Sequence, residues 1–180
     1  MKYPDITLGR VEAVWNKLGG EEGVQRFLSS AVEIVVKNIL TPLRTIAVSA
    51  QPAATVSKRW LKEAGVVWTG GNFETNFFGL KVAATEAADL SVRRLEQSSL
   101  DAPILTDLGD KAEIGISQFR AFLAENCESK ECFVFYLHGK NGELFAVHAY
   151  WYSDDGGWLV EVNSVARPLR WSAGGHVVSR

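Results

Sequence analysis

Cysteine, histidine and methionine are scarce in this chain: it holds two, three and one of them in 180 residues. Two cysteines cannot build a disulfide framework, and Cys127 and Cys132 lie without a second Cys or His pair nearby to complete a metal centre. Their CxxxxC spacing leaves a small disulfide open, but two reduced thiols at a helix-to-strand junction is the simpler expectation. Charge of one sign is also missing. Nineteen basic and 21 acidic residues leave a net charge of −2, which gives no electrostatic case for a nucleic acid or an anionic membrane. Long apolar runs are absent as well. The best window, residues 31–50, is broken by Glu33, Lys37, Pro42 and Arg44, so no membrane span is expected. The opening residues Met1 to Asp5 have no apolar segment of the secretory kind, and a cytoplasmic location is expected.

Catalytic and cofactor motifs are missing in the same way. There is no GxGxxG, GxxxxGK[ST] or GxSxG, and the adjacent carboxylates are Glu21-Glu22, which open a helix, and Asp154-Asp155, which sit in a turn. No catalytic residue, metal site or cofactor is therefore expected.

What the chain does have is aromatic residues, 19 in all, and they are uneven. Residues 133–180 hold nine of them, leaving ten for the other 132 positions. Periodicity assigns most of the chain. Leu8, Val11, Val14, Trp15 and Leu18 share one helical face, and Thr7 and Gly19-Gly20 supply its ends. A second helix with Val24, Phe27 and Leu28 follows, making a helical hairpin over 7–29. Strands are expected at 44–49, 66–68 and 89–96, and at 32–36, where Ala31, Val32, Val35 and Ile39 would equally extend the preceding helix. Helices are expected at 53–64, after a cap at Asn72, at 103–108, and after a cap at Ser117. Pro42 is expected to break whatever element reaches it.

From Glu131 the period becomes two. Asn141-Gly142 reads as a two-residue hairpin turn, which pairs His138 with Phe145 and Phe135 with His148. That register places His138 and His148 on opposite faces of the sheet, so they cannot share a site. A further strand at 158–162 and a last one at 176–178 complete a β-meander.

Candidate binding residues come from this segment. His148 and Tyr150 share a face, and Arg167, Arg170 and Trp171 place two guanidinium groups beside an indole, which suits an anion or a planar ring. Trp158 joins them as a meander aromatic. Each has a plainer reading, as a strand histidine bonded to backbone or a tryptophan anchoring a loop. The glycines of Thr69-Gly-Gly-Asn72 could hold an anion at a helix start, but the stretch matches no phosphate-binding motif and lacks the coordinating lysine, so a simple turn is the expectation.

Four stretches carry a resemblance: Val11–Leu28 (VEAVWNKLGGEEGVQRFL), Gly71–Phe77 (GNFETNF), Ser99–Gly109 (SLDAPILTDLG) and Trp171–Arg180 (WSAGGHVVSR). In this order they resemble an uncharacterised bacterial protein family from uncultured, small-genome lineages. The resemblance implies a modular N-terminus, because members share the helical opening and differ in the central part. This chain departs from it at Cys127–Cys132, where the family has a longer, glycine-containing insertion. It implies no activity, cofactor or site residue.

The expected fold is α+β: an N-terminal helical hairpin and short helices on a mixed or antiparallel sheet ending in the meander. It is read as one domain over 1–180, with sub-modules 1–50 and 87–180. Aromatics on both faces of the meander demand that something cover its second face. Three functions fit. The first is a non-catalytic binding protein that uses the aromatic meander for a protein or small ligand. The second is a small hydrolase or nuclease-like enzyme using His148, Tyr150 and Arg167 or Arg170. The third is an assembly protein that pairs with a protein partner or a second copy through its hairpin.

Overall fold

Residues 132–164 alternate between two faces and form three consecutive antiparallel strands: β6 (Cys132–His138), β7 (Leu144–Tyr152) and β8 (Gly157–Ser164). They belong to the second of two compact units, Met1–Lys37 and Asn38–Arg180, in a computed structural model that describes residues 7–29, 38–127, 129 and 131–180. The division falls between Lys37 and Asn38, ahead of the residue-50 boundary anticipated from the sequence. The strand anticipated at 32–36 lies outside the described residues.

In the first unit, α1 (Leu8–Leu18) and α2 (Gly20–Leu28) make the expected hairpin. Thr7 Oγ1 accepts the Arg10 amide at 3.4 Å, and Gly19 turns the chain in the left-handed conformation at φ 88°.

The second unit is a seven-stranded mixed sheet. Its order is β1 (Leu40–Val48), β5 (Ala88–Leu95), β9 (His176–Ser179), β6, β7, β8 and β3 (Val66–Thr69). The last strand does not extend the meander: β9 returns to lie parallel to β6 and antiparallel to β5. Edge strand β3 is parallel to β8. The chain is α+β, with six α-helices among the described residues and none long and apolar enough to cross a membrane.

The first face of this sheet is covered by α3 (Lys58–Lys62), α4 (Gly71–Phe77) and α6 (Ile116–Glu125). Phe122 stands edge-on to Phe133 and Phe135 at 4.9 and 5.2 Å, and Phe77 meets Phe145 at 5.6 Å. The second face carries a smaller cluster. There α5 (Asp101–Leu108) lays Ile104 and Leu108 over Val134, Tyr136, Ala146 and Val177.

Several local expectations are corrected. The turn after β6 uses three residues, Lys140-Asn141-Gly142: the Gly142 amide donates back to the Gly139 carbonyl at 3.0 Å and Gly142 adopts φ 74°, instead of completing a two-residue turn. The register therefore moves by one: His138 pairs with Leu144 and Val134 with His148. Pro42 lies inside β1, not beyond it. A shift between Pro42 and Arg44 and a place at the sheet edge spare it a ladder bond that proline cannot donate. Residues 53–64 divide into β2 (Ala54–Thr55), paired with β4 (Lys81–Val82), and the short α3, capped by Ser57 Oγ at the Trp60 amide. Asn72 and Ser117 cap nothing. Gly70 and Gly115 precede those helices, Asn72 Nδ2 donates to the Val162 carbonyl, and Ser117 is buried in α6.

Candidate functional site

Helix α5 is short, and it ends before β8. This leaves part of the second sheet face bare beyond Ala146, and the corrected register decides what stands there. His148 and Tyr150 on β7 align with Glu161 and Leu159 on β8, and Leu159 aligns with Trp68 on β3. All five are at least partly accessible, Trp68 and Glu161 the most so.

A recess of about 440 Å³ lies where this open strip meets the covered half. His148, Arg170, Trp171, Cys132, Val134 and the Ser172–Gly175 turn are among its walls. The Trp171 indole packs 5.5 Å from the His148 ring, and the Tyr150 ring packs 5.3 Å from it. Trp171 is held firmly. Its backbone exchanges two hydrogen bonds with Ser99, at 2.8 and 3.0 Å, and its Nε1 donates to Asp101 Oδ1 at 2.7 Å. The same oxygen accepts the Tyr136 hydroxyl at 2.9 Å, whereas Asp101 Oδ2 is buried without a partner. Burial, with the Asp101 carboxylate second, pushes the Tyr136 phenol far up, so Tyr136 stays a donor.

His148 has no hydrogen-bond partner among the described residues, which sets aside the backbone-bonded reading. Burial holds its pKa below the ordinary histidine value, outweighing the opposite pull of the Glu161 carboxylate. A neutral imidazole with both nitrogens unspent can donate and accept at pH 7. Burial, and next Glu161, raises Tyr150. Arg170 is exposed at the rim and supplies a positive charge.

The structure separates the other candidates from this recess. Trp158 is fully buried on the opposite sheet face, where Nε1 donates to the Leu123 carbonyl at 2.9 Å, so it is a core residue and not a binding one. Its odd register with Tyr150 and Leu159 puts it there. Arg167 lines a different concavity, with Asn72, Asn76 and Glu143, and is not among the walls of the recess. The trio of His148, Tyr150 and Arg167 is not assembled. His138 and His148 share one face, contrary to the sequence register, but their places on neighbouring strands are four residues apart, about 13 Å. His138 is engaged by Glu113 at 3.0 Å and by the Gly142 carbonyl.

Gly70 spends its amide on the Val160 carbonyl, so the Thr69–Asn72 turn is structural. Cys127 and Cys132 are both free. Among the described residues, no three His, Cys, Asp or Glu side chains converge as metal ligands do. Beside β9, Arg44 and Glu131 form an ion pair, with His176 Nε2 3.7 Å from Glu131, and Arg44 holds that carboxyl below its usual range.

Sequence reasoning missed Trp68, Leu159 and Glu161 as members of the open strip, and Asp101 as the anchor of Trp171. Alternation in β8 carried the signal for Leu159 and Glu161. Nothing local connects Trp68 or Asp101 to the meander, since both reach it through tertiary pairing. No protein-family model, curated protein or solved structure matches the chain.

Proposed function

We propose that the protein is a non-catalytic binding protein whose site is the His148–Trp171–Arg170 recess, and that it takes a small planar ligand bearing an anionic group. The observation carrying this reading is the unpartnered His148 imidazole, in contact with two aromatic rings beside a rim guanidinium. A ring stacks against Trp171 or Tyr150, its hydrogen-bonding edge meets His148, and its carboxylate or phosphate meets Arg170. The volume lies within the range of small-molecule sites, and Asp101 fixes the Trp171 wall in advance, which lowers the ordering cost of binding. Enzymatic use has less support, because the neighbouring acid, Glu161, is an exposed surface carboxylate, and the free Cys132 thiol, which shares the recess wall with His148, makes no hydrogen bond to it among the described residues. The free thiols of Cys127 and Cys132 fit a reducing, cytoplasmic setting.

Proton and nitrogen NMR with benzoate and phenyl phosphate as probes tests the reading. Shifts at the Trp171 indole and the His148 ring that vanish in Arg170→Ala and His148→Ala support it. No shift with either probe, or shifts confined to residues outside the recess, would overturn it.

A further inference from the structure

The helical hairpin presents a different surface, and its case does not depend on the recess. Spacing places Val11, Val14, Trp15 and Leu18 of α1 and Val24 and Phe27 of α2 toward one shared groove of about 490 Å³. Every residue of both helices is at least partly accessible. Leu8 is 83% exposed, Leu28 67% and Val14 55%. The helices meet closely at the turn: a Cβ on Gly23 would collide with the Leu18 carbonyl oxygen.

Helices of 11 and 9 residues are shorter than the ~12–15 that persist alone in water, so apolar packing must sustain them. We propose that a second copy of this chain supplies that packing, the two hairpins closing face to face into a four-helix bundle. Three observations favour a copy of the chain over another partner. Six large apolar side chains of one short hairpin, Leu8, Val11, Val14, Trp15, Phe27 and Leu28, are 38–83% exposed, a concentration that marks an interaction surface and that a second identical face would match residue for residue. Residues 8–28 carry Arg10, Lys17 and Arg26 against Glu12, Glu21 and Glu22, so the surface selects neither a basic nor an acidic partner and does not repel itself. A tight hairpin related by a twofold axis also places all four helices with short connections, and such a contact closes on itself.

Sedimentation velocity on the full chain from about 1 µM to about 200 µM tests this. A species of twice the 19.8 kDa chain mass is expected. The double variant Val14→Glu/Phe27→Glu should weaken the dimer roughly 100-fold or more, while Arg26→Glu, on the far side of α2, should leave it intact. Because the double variant could unfold its hairpin, a mixed dimer of labelled and unlabelled wild-type chains provides a direct check. Filtered NOEs should join Val14 methyls of one copy to Trp15 or Phe27 rings of the other. A monomer at every concentration, a dimer that survives the double variant, or a dimer without those NOEs overturns the proposal.

Discussion

The two faces of the seven-stranded sheet are built from the same strands yet end differently. On the first, α4 and α6 bring Phe73, Phe77, Phe119 and Phe122 onto Phe133, Phe135, Phe145 and Trp158, and none of these eight is more than 5% exposed. On the second, one eight-residue helix covers Val134, Tyr136 and Val177 and stops, leaving His148, Tyr150, Leu159 and Trp68 accessible. The difference teaches where stability and binding reside. Side chains on the first face can be changed only at the expense of the core, whereas the open strip is free to serve a ligand. The recess lies on the line between the two regimes, walled by a tryptophan that belongs to the covered half.

The largest effect should come from the first face. Phe122→Ala removes a ring that meets both Phe133 and Phe135, and should cost about 3–5 kcal/mol in denaturant unfolding. A cost below about 1 kcal/mol would mean that α6 does not seal that face as described.

The covered half of the second face comes next, through its polar anchor. Tyr136→Phe leaves Asp101 Oδ1 with the Trp171 indole as its only donor inside a buried cluster, and should cost about 1–3 kcal/mol. It should also loosen the recess wall, read as broadening of the Trp171 indole NMR signal. Loss of stability without that broadening would show that Trp171 is held by its Ser99 backbone bonds alone.

How far the sequence foretold this contrast depends on the residue. The hairpin, the meander strands and the Phe119–Phe122–Leu123 face follow from local periodicity, and the structure agrees with them. The identity of each face did not follow. It hung on one residue in the turn, and Gly142 in the left-handed conformation shifted every partner in β7 by one. Trp158 was misjudged for a related reason: alternation marks a strand as two-faced without saying which face the helices take. The pairing of β3 with β8 and of β9 with β6 are long-range events with no local trace. Trp68 and Asp101 could therefore not be placed near His148 before the fold was known.

His148 sits at the border and should report its half-buried state through pH. Its neutral form is favoured in the fold, so its pKa is lower there than in the unfolded chain, where it is near 6.5. Above that value it contributes no pH dependence. As pH falls below about 6.5 the unfolded chain takes up the proton first, and stability declines until the folded pKa is passed. His148→Gln should flatten the unfolding free energy over that window, measured at intervals from pH 7.5 downward. An unchanged slope would place His148 in water and remove it from the recess wall.

The smallest stability effect is expected at the far edge of the open strip. Trp68 is 47% exposed on edge strand β3, and its ring lies against Gly70 instead of under a helix. Trp68→Ser should change unfolding free energy by no more than about 0.5–1 kcal/mol, in contrast to the cost at Phe122, although tryptophan is the larger side chain. Size alone would predict the reverse order, so the pair tests burial directly. A penalty at Trp68 approaching that at Phe122 would mean that something covers this strip in solution. Diluting the protein would then separate a second chain, whose contribution falls with concentration, from the chain's own residues, whose contribution does not.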